Sequence, residues 1–247
     1  CIRDSIRLRR PLTWTAFLLL ACSGGVMAQL PPLEQADTEI PVDLDSLRFY
    51  LITVDVGNNV WDNFGHTALR LYDENTNTDL VFNWGVFDTS GGVADFSYNF
   101  FKGVMDYRLA TSSSTSEFDV YRAQGRTVWQ DRLNLTNPQK EKLYRRLMWN
   151  LQAENLAYEY HYFFDNCTTR VRDYLDEALG GAISDQYSGV TDKTFRHYVR
   201  EHYASASLIG FSLDVLLNSN VDQQVSEWED MFLTMNLRQR LQAMSSD

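Results

Sequence analysis

Apolar and polar positions alternate along Arg48–Val56 (RFYLITVDV), His66–Tyr72 (HTALRLY) and Leu80–Phe87 (LVFNWGVF). Each run is short, rich in aromatic and β-branched residues, and bounded by turn formers, so the pattern predicts three strands of one antiparallel sheet. Two more strands are expected at Phe118–Ala123 and Arg126–Leu135, hinged on Gln124-Gly125. Asp95–Leu109 (DFSYNFFKGVMDYRL) fits a helix or a strand equally well. Beyond residue 135 the apolar period lengthens. Thr136-Asn137-Pro138-Gln139 has the form of a capping box with Pro in the first turn, and Leu143, Leu147 and Leu151 then recur every four residues. A further helix starts at Asp165 or Asn166 and stops at Gly180-Gly181. Strands followed by helices predict an α+β domain with an antiparallel sheet packed against helices.

The N-terminus reads differently. Arg3, Arg7, Arg9 and Arg10 precede the apolar run PLTWTAFLLLAC, and Val26-Met27-Ala28 offers the small residues that a signal peptidase selects, so residues 1–28 read as a secretory signal. Leu19-Leu20-Ala21-Cys22 offers an alternative, cleavage and lipid anchoring at Cys22. Residues 29–46 are polar, acidic and hold three of the five prolines, as a linker would. The folded domain is then residues 47–247.

Removal of residues 1–28 leaves 18 basic residues against 32 acidic ones, a net charge of −14. Such a surface repels phosphate backbones, which excludes nucleic acid as a partner. The His residues (His66, His161, His197, His202) are scattered without metal-ligand spacing, and the sequence calls for no metal and no cofactor.

Cysteine usage narrows the function. Cys1 and Cys22 lie in the signal region, which leaves Cys167 alone in an exported domain. A lone thiol in an oxidising compartment is either packed and inert or used for its reactivity. If Asp165 or Asn166 caps the helix, Cys167 falls in its first turn, where unpaired N–H groups and the helix dipole favour an anion. Val171, Leu175, Ala178 and Leu179 continue its stripe, which points the thiol towards the sheet, and Arg170 and Arg172 add positive charge. Gly65 bends the backbone just before His66, the candidate base at a sheet end. With the hairpin centred on DENTNT, facing residue numbers sum to 151. His66 then faces Gly85, and Asn83 lies diagonal to it, placed to orient the ring. A neighbouring register is equally open. Asn166, Arg170, Tyr160 and Tyr162 flank the approach to the thiol as candidate substrate contacts, and Arg122, Arg126 and Arg196 are weaker candidates for an anionic headgroup.

FGHTALRL, VFNWG, GVMDYRL, YRAQGR, ENLAYEYHYFFDNCTTRVRDYL, TFRHYV and EDMFL follow one another between Leu47 and Leu237. In this order they resemble the Lnb N-terminal periplasmic domain family of Gram-negative bacteria, whose members are similar to permuted papain-like, NlpC/P60-type thiol enzymes. The resemblance implies a periplasmic acyltransferase with Cys167 as nucleophile, His66 as base and Asn83 as third member. It further implies a phospholipid acyl donor, a lipoprotein N-terminus or other amine as acceptor, and work at a membrane surface. Two other readings stay open: a thiol hydrolase acting on cell-wall peptide, amide or lipid ester, and a non-catalytic envelope binding module. An apolar trough, for which Ser97–Phe101 (SYNFF) is a candidate lining, would separate a lipid donor from a peptide.

Overall fold

A computed structural model describes residues 2–8, 42–58, 62–86, 106–204 and 219–244. Its centre is an antiparallel sheet of β1 (Ile2–Leu8), β2 (Leu47–Val54), β3 (His66–Asp73), β4 (Thr78–Val86), β5 (Asp106–Ser112), β6 (Val128–Leu133) and β7 (Ala157–Glu159), in the order β1-β6-β2-β3-β4-β5-β7. β1 lies within the run read as an export signal and pairs only with the outer edge of β6. The other six strands pair without it. A ribbon of β8 (Val190–Thr194) and β9 (Gln224–Ser226) stands apart.

The alternation seen in the sequence sorts the two faces of the sheet. Phe49, Leu51, Leu69, Leu71, Phe82 and Trp84 point to one face and meet Leu143 and Leu147 of α2 (Asn137–Asn150), Val171 and Leu175 of α3 (Cys167–Ala178), and Leu237 and Leu241 of α6 (Thr234–Ala243). All twelve of these side chains except Leu71 are at most 1% exposed, so this layer holds the fold together. Ile52, Val54, Ala68, Val81 and Val128 point to the other face, covered by Tyr121 of α1 (Ser114–Ala123). A satellite cluster gathers Phe163, Phe232 and Val225 around Phe195, Tyr198 and Val199 of α5 (Phe195–His202).

The fold is α+β, and the β3–β4 register has Ala68 facing Asn83 and Leu69 facing Phe82, so facing numbers sum to 151 as the hairpin predicts. The capping box at Thr136–Gln139 opens α2 as expected. Phe118–Ala123 differs, because it is helical and not a strand. Ser113 caps it by accepting from the Ser116 N–H, and Phe118 and Tyr121, three apart, face the sheet together. Asp106–Leu109 resolves as strand, whereas the candidate lining Ser97–Phe101 lies outside the described residues. Residues 42–46 belong to the fold rather than trailing from it. Val42 and Leu44 pack on the core, and the buried Ser46 hydroxyl donates to Asp73 at 2.6 Å.

Candidate active site

Gly65 adopts φ +75, and a Cβ there would lie 2.5 Å from the Val54 carbonyl oxygen, so only glycine allows this approach to β3. His66 therefore opens the strand at a fixed angle, on the α1 side of the sheet with Ala68 and Asn83. Cys167 begins α3, which packs on the opposite side. The two meet at the open end of β3 and β4, where Gly85 lacks a side chain. A Cβ at Gly85 would lie 3.8 Å from the Cys167 Cβ, in ordinary contact.

His66 Nε2 lies 3.1 Å from Asn83 Oδ1, which leaves Nδ1 for the thiol. Burial alone would raise the pKa of Cys167, but the positive charge of His66 and its hydrogen bond, the Thr67 backbone N–H and the Thr168 hydroxyl bring it down to about 7. The His66 imidazole is affected reciprocally. Burial lowers its pKa, while the thiolate of Cys167, the bonds to Cys167 and Asn83 and the charge of Glu117 together raise it above the ordinary value. Each partner thus favours the charged form of the other.

The helix N-terminus contributes less than its sequence promises. Asn166 caps α3, its Oδ1 accepting from the N–H groups of Thr168 (2.8 Å) and Thr169 (2.9 Å), while its Nδ2 donates to the Tyr162 and Phe232 carbonyls. Asn166 lines the cavity, but its side chain is saturated by protein partners and holds the turn that carries Cys167 in place. Two of the N–H groups at the helix start are occupied by this cap, which leaves the Cys167 N–H at the first helical position. Arg170 is also corrected from a substrate contact. It forms a two-pronged ion pair with Asp165, lies over the Tyr158 ring at 4.0 Å and does not line the cavity.

The pair opens into a cavity of about 370 Å³. One wall is aromatic, with Phe64, Tyr107, Tyr160, Tyr162 and Phe232; the other is polar, with Asn83, Ser112, Glu117, Asp62 and Arg126. Tyr160 and Tyr162 both line the cavity. The Tyr107 ring stacks on Tyr160 at 4.2 Å, and burial followed by the thiolate charge holds both phenols above their usual pKa, so each keeps its proton. Among the three arginines, Arg126 alone lines the cavity. Arg122 pairs with Asp119 and Arg196 with Asp222, both away from it. Glu117 and Ser112 were not singled out from sequence; the helix-opening run Ser112–Glu117 (SSSTSE) was the available signal. Among the described residues, no group of three or more His, Cys, Asp or Glu is placed to hold a metal, and no helix is long and apolar enough to cross a membrane.

Fold and site together define an α+β domain with a thiol–imidazole centre in a half-aromatic cavity. The family model of the Lnb N-terminal periplasmic domain matches residues 34–199, and the chain belongs to that periplasmic family. No curated protein and no solved structure matches the chain.

Proposed function

We propose that this protein is a periplasmic thiol acyltransferase that takes a fatty acyl group from a phospholipid onto Cys167 and passes it to an amine, such as a lipoprotein N-terminus. The observation that carries this reading is the shared cavity of Cys167 and His66, with the thiol pKa lowered to about 7. His66 Nδ1 takes the Cys167 proton and the thiolate attacks the ester carbonyl, forming a carbon–sulfur bond. The Cys167 N–H stabilises the oxyanion. The intermediate then collapses with loss of the lysophospholipid alkoxide, which recovers the proton from His66. The amine next attacks the thioester, gives up a proton to His66 and releases the thiol. The aromatic wall suits an acyl chain, and the polar wall suits the acceptor.

A hydrolase reading uses the same pair with water or a peptide, and the polar wall is what favours it. Incubation with phosphatidylglycerol vesicles, which carry no amine, followed by intact-mass measurement decides between them. The expected result is a mass increase of one acyl group, lost in Cys167→Ala, that disappears when a primary amine is added as the amine gains the acyl chain. Release of free fatty acid alone, at the same rate with and without amine, selects the hydrolase. No adduct and no turnover of phospholipid overturns the lipid donor.

A further inference from the structure

The Asn83 side chain has a second partner. Its Nδ2 donates to Ser112 Oγ at 3.5 Å, and Ser112 Oγ donates to Glu117 Oε2 at 2.6 Å. Tyr121, whose ring centroid lies 6.4 Å from that of His66, also hydrogen-bonds Glu117. We propose that Glu117 is a positioning residue that acts through Ser112 and Asn83 to fix which nitrogen of His66 faces Cys167 without a proton. The inference rests on the thiol–imidazole reading of the site, but not on phospholipid as the donor.

The argument is one of hydrogen-bond direction. An ionised carboxylate only accepts, so the single hydroxyl proton of Ser112 is committed to Glu117. Ser112 Oγ can then only accept from Asn83, which turns the amide N–H₂ of Asn83 towards Ser112 and its Oδ1 towards His66. A carbonyl oxygen also only accepts, so His66 Nε2 must be the N–H donor, and Nδ1 is the basic nitrogen left for the thiol. The sense of every bond in the chain follows from the charge at its far end. Without Glu117, Ser112 is free to rotate its hydroxyl, the Asn83 amide can flip, and the imidazole can hold either tautomer. Glu117 gains and loses no proton in this scheme; the only proton that moves passes from Cys167 Sγ to His66 Nδ1. The charged and titratable groups around the ring are Cys167 on α3 and Glu117 and Tyr121 on α1, while Asp62 and Arg126 pair with each other in the same cavity.

The test is the rate at which iodoacetamide alkylates Cys167 in the full chain across pH 5–9, read on the peptide that contains it so that Cys1 and Cys22 do not interfere. Glu117→Ala and Ser112→Ala should each slow alkylation at pH 7 by roughly five- to tenfold, the size of one supporting hydrogen bond, and move the profile to higher pH. Adding Glu117→Ala to Asn83→Ala should cost much less than Glu117→Ala alone, because the chain is already cut and only the through-space charge of Glu117 on His66 remains to be lost. The ¹⁵N signals of neutral His66 should report the Nε2–H tautomer in the parent protein and a mixture in Glu117→Ala. Should Glu117→Ala fail to fold, Ser112→Ala, which cuts the same chain one link nearer to Asn83, carries the same comparisons. Unchanged alkylation and an unchanged tautomer overturn the proposal, as does a Glu117→Ala effect that is undiminished in the Asn83→Ala background. Alkylation needs no phospholipid, so a missing acyl adduct alongside an intact dependence on Glu117 refutes the donor and leaves the relay standing.

Discussion

The 3.1 Å contact between His66 Nε2 and Asn83 Oδ1 joins two strands that face each other in the register set by the β3–β4 hairpin. Asn83 is 6% exposed, so its amide has few other places to turn, and it holds the ring along one axis towards the thiol. Asn83→Ala should slow alkylation of Cys167 by about tenfold, as loss of one hydrogen bond to a charged group costs ~1.5 kcal/mol or more, with a modest drop in melting temperature. An alkylation rate equal to that of the parent protein would show that the ring is held by other means.

The place of the hairpin was readable from the sequence because DENTNT is a turn with apolar runs on both sides, whereas its register had an equally open neighbour that only the packed core decides against. A one-residue slip would have moved Phe82 and Trp84 out of the core. The helix that Cys167 opens was legible from its own pattern, since Asn166 is a cap type and Val171, Leu175 and Ala178 continue the stripe. Phe118–Ala123 was misread because its aromatic and β-branched residues favour a strand, while the serines that cap the helix lie just upstream. That error hid Glu117, whose link to His66 runs through Ser112 on a different element. What Asn166 does was also beyond the sequence, because its two donor bonds go to carbonyls near residues 162 and 232, and only the fold brings those together.

The thiol should titrate well below an ordinary cysteine. With the Cys167 pKa at about 7 and that of His66 above its usual value, the ion pair gains population as pH rises past about 7 and loses the imidazolium as pH climbs through the raised value for His66. Alkylation of the parent protein should therefore be half-maximal near pH 7. His66→Ala removes the first-ranked favourable influence on the thiolate while burial remains, so its profile should move up past that of a free thiol. Coincident profiles for the two proteins would remove His66 from the site.

Gly65 and Gly85 both have positive φ, but they should respond differently to a methyl group. At Gly65 a Cβ would meet the Val54 carbonyl oxygen at 2.5 Å, a backbone atom that cannot move without disturbing β2. Gly65→Ala should cost ~3 kcal/mol and displace His66. At Gly85 the nearest atoms are 3.8 Å away, so Gly85→Ala should carry only the conformational penalty of ~1–2 kcal/mol and leave alkylation within a few-fold of the parent rate. Thermal melting and alkylation of the two variants side by side provide the check, and equal loss of stability in both would contradict this difference.

The match to the family model ends at residue 199, yet the core does not. Leu237 and Leu241 of α6 are fully buried in the main cluster. Thr234 hydrogen-bonds Thr67 beside the site, and Arg238 donates to both oxygens of the fully buried Asp131 on β6, at 2.6 and 3.0 Å. A buried carboxylate that loses its partner keeps its desolvation cost and forfeits the attraction, so Arg238→Ala should destabilise the fold by about 3–5 kcal/mol. Replacing both residues with apolar ones, Asp131→Leu with Arg238→Met, removes the stranded charge and should recover much of that loss. The pair touches β6 and α6 but neither His66 nor Cys167, so alkylation of the still-folded protein at low temperature should stay at the parent rate in both variants. A chain ending at residue 204 removes α6 entirely, uncovers the side of the core where β2 and α3 meet it, and should fail to give a cooperative unfolding transition. Cooperative melting of that truncated chain would mean that the first two hundred residues hold a complete core of their own.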